Sequence, residues 1–168
     1  MSEQADMKPS PGWAMERGHA NLRALTNGIP GENGLDRFLI AERIYRYGWA
    51  YDERHRELLG DCFTSDGIWE GSIMGQTSVG PFIGRDAVVE FLTSFWTEQR
   101  DQRRHIFTNI IIDGLAGGQA MAHAYLILTA SCDSKMTPVT TGPYRFELDK
   151  GDDSWRFTRL VGGFDAPF

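Results

Sequence analysis

Apolar residues recur at helical spacing from Leu35 through Phe38, Leu39, Ile40, Ile44, Tyr47 and Tyr51, with Asp36, Arg37, Glu42, Arg43 and Arg46 between them. This period predicts a first helix. A shorter helix is expected over residues 53–60, stopped by Gly60 in the left-handed conformation that glycine tolerates. Residues 62–72 read as a strand, and 75–84 as a loop with a short strand, closed by Pro81 and Gly84. Over 85–99, Val88, Val89, Leu92, Phe95 and Trp96 gather on one side of a third helix. Four strand-like runs follow, 103–113, 119–132, 137–149 and 154–163, separated by turn-rich segments. Turns at that spacing predict consecutive antiparallel hairpins, and helices followed by a meander predict an α+β domain whose curved sheet turns one face to the helices.

Residues 1–34 break any such period, with Pro9, Pro11, Gly12, Gly28, Pro30, Gly31 and Gly34. An irregular arm is expected there, with room for a short amphipathic turn around residues 15–25. Its apolar anchors, Trp13 and Met15, need a dock, and a neighbouring subunit is preferred over the mouth of the domain. Residues 35–168 form one domain, since 168 residues with 41% hydrophobic content build one core of ordinary size. A net charge of -6, a pI near 5.2 and scattered Lys and Arg argue against nucleic acid as a partner. The sequence has neither the apolar run of a signal peptide nor the roughly 20 apolar residues of a membrane span, so a cytoplasmic protein with no membrane partner is expected. Cys62 and Cys132 are far apart and inside predicted elements, which suggests buried free thiols. The runs 110–112 and 125–128 are apolar on both faces of their strands, so a homodimer or homotrimer packed through the outer sheet face is expected.

Asp52 stands near the end of the first helix among Tyr45, Tyr47, Trp49 and Tyr51, an aromatic setting for a carboxylate. It reads equally as a solvated helix-end acid or as a functional one. At 100° per residue Tyr47 and Asp52 lie about 140° apart, and they converge only if the helix ends near Asp52. Tyr45 shares a face with Asp52 better and reads as a packing residue. His105 sits on a strand whose alternation groups it with Phe107, Asn109 and Ile111. A lone strand histidine is usually a hydrogen-bonded structural residue. His123, on the following strand, is a second candidate for the same cavity, whereas His19 and His55 read as surface residues. Arg145 reads as a solvated strand residue with some reach toward a substrate oxygen. No metal-ligand spacing, dinucleotide fingerprint, P-loop or nucleophile elbow occurs, so neither metal nor cofactor is expected. Five Trp, ten Phe and five Tyr would furnish an aromatic-walled pocket for a small hydrophobic substrate.

The order Tyr47, Asp52, Leu58 and Leu59, Phe63, Asp66 and Trp69, followed by RRHIFTNIIID with His105 at the head of a long strand, resembles one known branch of proteins. It is similar to the SnoaL-like and scytalone dehydratase-like branch of the nuclear transport factor 2-like superfamily, over roughly residues 35–165. The resemblance implies a cone-shaped α+β barrel, three N-terminal helices packed on a strongly curved, mostly antiparallel sheet. It also implies an Asp52–His105 base with Tyr47 as hydrogen-bond donor. Trp49, Trp69, Phe107, Asn109, His123 and Tyr144 are the candidate substrate-binding residues. The activity implied is a cofactor-independent, dehydratase-type lyase acting on a hydrophobic polycyclic or aromatic alcohol. Carbon–carbon cleavage releasing formaldehyde, isomerisation and aldol cyclisation start from the same proton transfer and stay open. So does a non-catalytic binding or assembly domain, because this fold is often used for binding. The Asp-Arg-Asp arrangement of limonene epoxide hydrolase, a relative, has no counterpart in the strands of this sequence.

Overall fold

A computed structural model describes residues 34–168 together with Leu22. The expectations for the N-terminal arm, with Trp13, Met15 and His19, fall outside the described residues. The element order is α1 (Gly34–Asp52), α2 (Arg56–Asp61), β1 (Phe63–Ile73), β2 (Thr77–Ile83), α3 (Arg85–Ser94), a 3₁₀ turn (Phe95–Thr97), β3 (Gln102–Ala116), β4 (Gln119–Cys132), β5 (Lys135–Lys150) and β6 (Trp155–Phe164). The six strands make one sheet in the order β2-β1-β6-β5-β4-β3. Every pairing is antiparallel except β1 with β6. Three helices on one face of this curved sheet form the expected cone.

The buried stripe of α1 is Ile40, Arg43, Ile44, Tyr47 and Gly48, an i, i+3, i+4, i+7, i+8 series. Leu35, Phe38 and Leu39, counted in the apolar period, lie off this stripe and are exposed. The stripe meets Leu126, Phe146, Phe157 and Leu160 on the inner sheet face. Arg43 is buried without being orphaned: Nε donates to the Trp155 carbonyl at 2.6 Å and one terminal nitrogen donates to Asp61 at 3.3 Å. Asp61 also accepts from Arg156 at 3.0 Å, tying α1 and α2 to β6.

Several boundaries differ from the sequence reading for local reasons. Arg54 takes a left-handed turn (φ 56°), so α2 begins only at Arg56. It runs through Gly60, which is helical and packs against Val89 and Arg85 rather than capping the helix. The short strand expected within residues 75–84 occupies most of that segment as β2, because it pairs along β1 from Thr77 to Ile83. The third helix ends early, tightening into the 3₁₀ turn. Cys62 is buried, and burial pushes its thiol pKa up, but Cys132 is an exposed free thiol at the end of β4.

Candidate active site

Strand β3 carries the main departure from simple alternation. Thr108 pairs with Tyr125, yet the next pair is Ile111 with His123, so β3 holds one extra residue at this point. Asn109 absorbs it with φ 52°, a conformation that asparagine tolerates. Before the bulge, Arg103, His105 and Phe107 face the core side; after it, Ile110 and Ile112 do. Asn109 itself is exposed and does not share the face of His105.

Helix α1 ends at Asp52, the condition for Asp52 and Tyr47 to converge. The helix can lie close to β3 because Gly48 faces it: a Cβ there would stand 3.2 Å from the His105 carbonyl oxygen. That approach brings the Asp52 carboxylate onto His105. Oδ1 lies 2.6 Å from ring Nδ1, and Oδ2 accepts the His105 backbone N–H at 2.7 Å. Gln102 Nε2 donates to the Asp52 carbonyl at 3.0 Å, fixing the helix end from the strand. Both side chains of the pair are buried, 9% and 6% exposed. An ionised carboxylate only accepts, so Nδ1 carries the proton and Nε2 is the basic nitrogen.

His105 lines a solvent-connected cleft between α1, α3 and the inner sheet face. Trp69, Phe91, Phe164 and Tyr144 form much of its wall. Phe91 stacks on Phe82 at 3.8 Å and meets Trp69 at 4.8 Å. Tyr47 lines the cleft and packs edge-on against Phe63 and Phe157. Burial holds its phenol pKa far above the ordinary value, an effect that the nearby Trp69 indole opposes. The indole nitrogen is itself buried without a partner at hydrogen-bonding geometry. Burial likewise raises Tyr144, and pushes Tyr51 up to about 12. All three phenols stay protonated at neutral pH, so they are donors rather than bases.

The proposed residues therefore divide. Asp52 and His105 are in contact, and Tyr47, Trp69 and Tyr144 line the same cleft as His105. Phe107 supports it from behind, packing on Tyr144 at 5.3 Å. Trp49 is 67% exposed on the far side of α1, as is Tyr45 at 46%. His123 lies on the outer sheet face of β4, opposite Ala122 and Ala124, where burial lowers its pKa and Asp113 opposes the shift. Arg145 is its outer-face neighbour, paired with Glu147 at 3.1 Å. His55 is exposed. Of the cleft residues that the sequence reading did not assign to the site, two adjoin His105. Tyr51 meets the His105 ring at 4.7 Å, and Arg103, two residues before His105, lines the cleft. The same alternation that placed Phe107 beside His105, extended backwards, reaches Arg103. Phe168 also lines the cleft, carried there by a tail anchored through Thr140 and Thr141 to Ala166 and Asp165. Among the described residues no three His, Cys, Asp or Glu side chains gather as metal ligands, and no helix is long and apolar enough to cross a membrane.

Three helices on an open, curved and mostly antiparallel six-stranded sheet make the cone-shaped fold of nuclear transport factor 2-like domains. The SnoaL-like domain model matches residues 34–161, and this chain belongs to that family. A nuclear transport factor 2-like protein from Novosphingobium aromaticivorans is 20% identical, with a TM-score of 0.65 over 79% of this chain and 84% of that one. A Catenulispora acidiphila structure in complex with S-DNPA is 27% identical, with a TM-score of 0.65 over 76% of this chain and 92% of that one. A provisionally named scytalone dehydratase from Novosphingobium aromaticivorans is 22% identical, with a TM-score of 0.64 over 77% and 83%. No functionally curated protein matches the chain.

Proposed function

We propose that the chain is a cytoplasmic, cofactor-independent lyase that eliminates water from a hydrophobic polycyclic or aromatic alcohol. One observation carries this reading: a buried carboxylate grips both the ring and the backbone of His105, leaving the basic ring nitrogen at an aromatic cleft. His105 Nε2 takes a proton from carbon, the C–H electron pair becomes the new double bond, and the neighbouring C–O bond breaks. The imidazolium returns its proton to the departing hydroxide, so that water leaves and the enzyme is restored. Asp52 stabilises the imidazolium, and Tyr47, held protonated, donates a hydrogen bond to the oxygen that gathers charge. The scytalone dehydratase name of one structural neighbour supports the reaction class. Incubation with a metabolite library, read by mass, tests the reading: loss of 18 mass units is the expected result, and loss of 30 would assign carbon–carbon cleavage with release of formaldehyde instead. Binding without any turnover, unchanged by His105→Ala, would replace the enzyme with a binding module.

A further inference from the structure

Arg103 is the cleft's cationic side chain, and the chemistry above makes no use of it. It lies two residues before His105 on the same face of β3, which sets the two about 7 Å apart along the strand. Its Nε donates to Asp101 Oδ1 at 2.6 Å, and Gln99 Nε2 braces the same oxygen at 3.0 Å. The two terminal nitrogens of the guanidinium have no hydrogen-bond partner among the described residues. Arg103 thus lines the aromatic cleft with donor capacity that its ion pair with Asp101 leaves unused. The cleft is also lined by Trp69 on β1 and Phe91 on α3, whose rings lie 4.8 Å apart at an angle of 48°, with β1 toward the other edge of the sheet from β3.

We propose that Arg103 selects the substrate by binding a carboxylate, so that the substrate is an aromatic carboxylic acid whose reacting carbon lies about one ring from the acid group. This rests on the proposed function only in taking the His105 side of the cleft as the reacting end. A planar guanidinium matches a carboxylate through two parallel hydrogen bonds, and the aromatic body lies against Trp69 and Phe91. Asp52, Glu53 and Asp101 also stand at this end, and their negative charges are set against the positive charges of Arg54, Arg103 and Arg104; Asp52 and Asp101 act on Tyr51 with the opposite sign to Arg103 and Arg54. Selection of a carboxylate therefore rests on direct hydrogen bonds from the terminal nitrogens of Arg103 and not on a net positive field.

The test compares 2-naphthoate with 2-naphthamide, matched in shape and differing in charge, by calorimetry on the full chain at neutral pH. Wild type and His105→Ala are expected to bind the acid at least tenfold more tightly than the amide. Arg103→Met should abolish that preference while leaving amide affinity within about twofold, which also reports an intact cleft, and Arg103→Lys should restore part of it. Equal affinities in wild type, no binding of either compound, or a preference that survives in Arg103→Met would each overturn the proposal. Because the readout is binding, and is repeated in a variant without the base, it stands or falls separately from the lyase reading.

Discussion

Asp52 holds His105 at two points, the ring through Oδ1 at 2.6 Å and the backbone N–H through Oδ2 at 2.7 Å. Two acceptors on one rigid carboxylate fix the rotation of the imidazole as well as its tautomer. The side chain cannot turn its basic nitrogen away from the cleft without giving up the contact with Asp52.

Asp52→Asn should therefore fold yet lose activity by roughly a thousandfold or more. An amide has one acceptor for two donors. If its oxygen keeps the backbone N–H, its NH₂ faces Nδ1 and drives the proton to Nε2, turning the base into a donor. Turnover, together with nitrogen chemical shifts of His105, checks this; near-wild-type turnover would remove the dyad from the mechanism.

Folding stability should fall in alkali through the buried phenols. Tyrosines of the unfolded chain ionise near about pH 10, whereas folded Tyr51 holds its proton up to about 12. Between those values the unfolded state has released protons that the native state keeps, so stability declines as pH rises across that window. Urea titrations at pH 9 and 11 should show the decline, and Tyr51→Phe should make it shallower.

Gly48→Ala sets two effects against each other. Alanine gains up to about 1 kcal/mol of helix propensity, but its Cβ would stand 3.2 Å from the His105 carbonyl oxygen and 3.4 Å from the Phe107 ring. Overpacking of this kind costs about 1–3 kcal/mol, so a modest net loss of stability is expected. Activity should fall further than stability, because the displaced helix end carries Asp52. A variant with wild-type turnover would show that the close approach of α1 to β3 does not set the dyad.

We propose assembly through the outer sheet face as a homodimer or homotrimer. Ile106, Ile111, Tyr125 and Ile127 lie there 38–56% exposed, an apolar surface of the kind that partners cover. Light scattering should report a multiple of 18.9 kDa, and Tyr125→Lys with Ile127→Lys should return the monomer. A wild-type monomer at micromolar concentration would overturn the proposal.

Local pattern determined much of this protein from sequence alone. Three helical periods followed by alternating runs with turn residues between them are properties of neighbouring residues, and they carried the α+β class. The order of Tyr47, Asp52, Trp69 and His105 carried the family and the acid–histidine pair. What the tertiary structure decided depends on contacts between distant segments. The parallel pairing of β1 with β6 depends on how the sheet curls, and the length of β2 was set by its pairing along β1. Asn109 left the cleft because one extra residue in β3 reverses the faces beyond it, and a period of two cannot reveal its own interruption. Trp49 points outward because the face of α1 that packs is the one bearing Gly48, whose missing side chain counts for nothing in a hydrophobic pattern and yet sets how near Asp52 comes to His105.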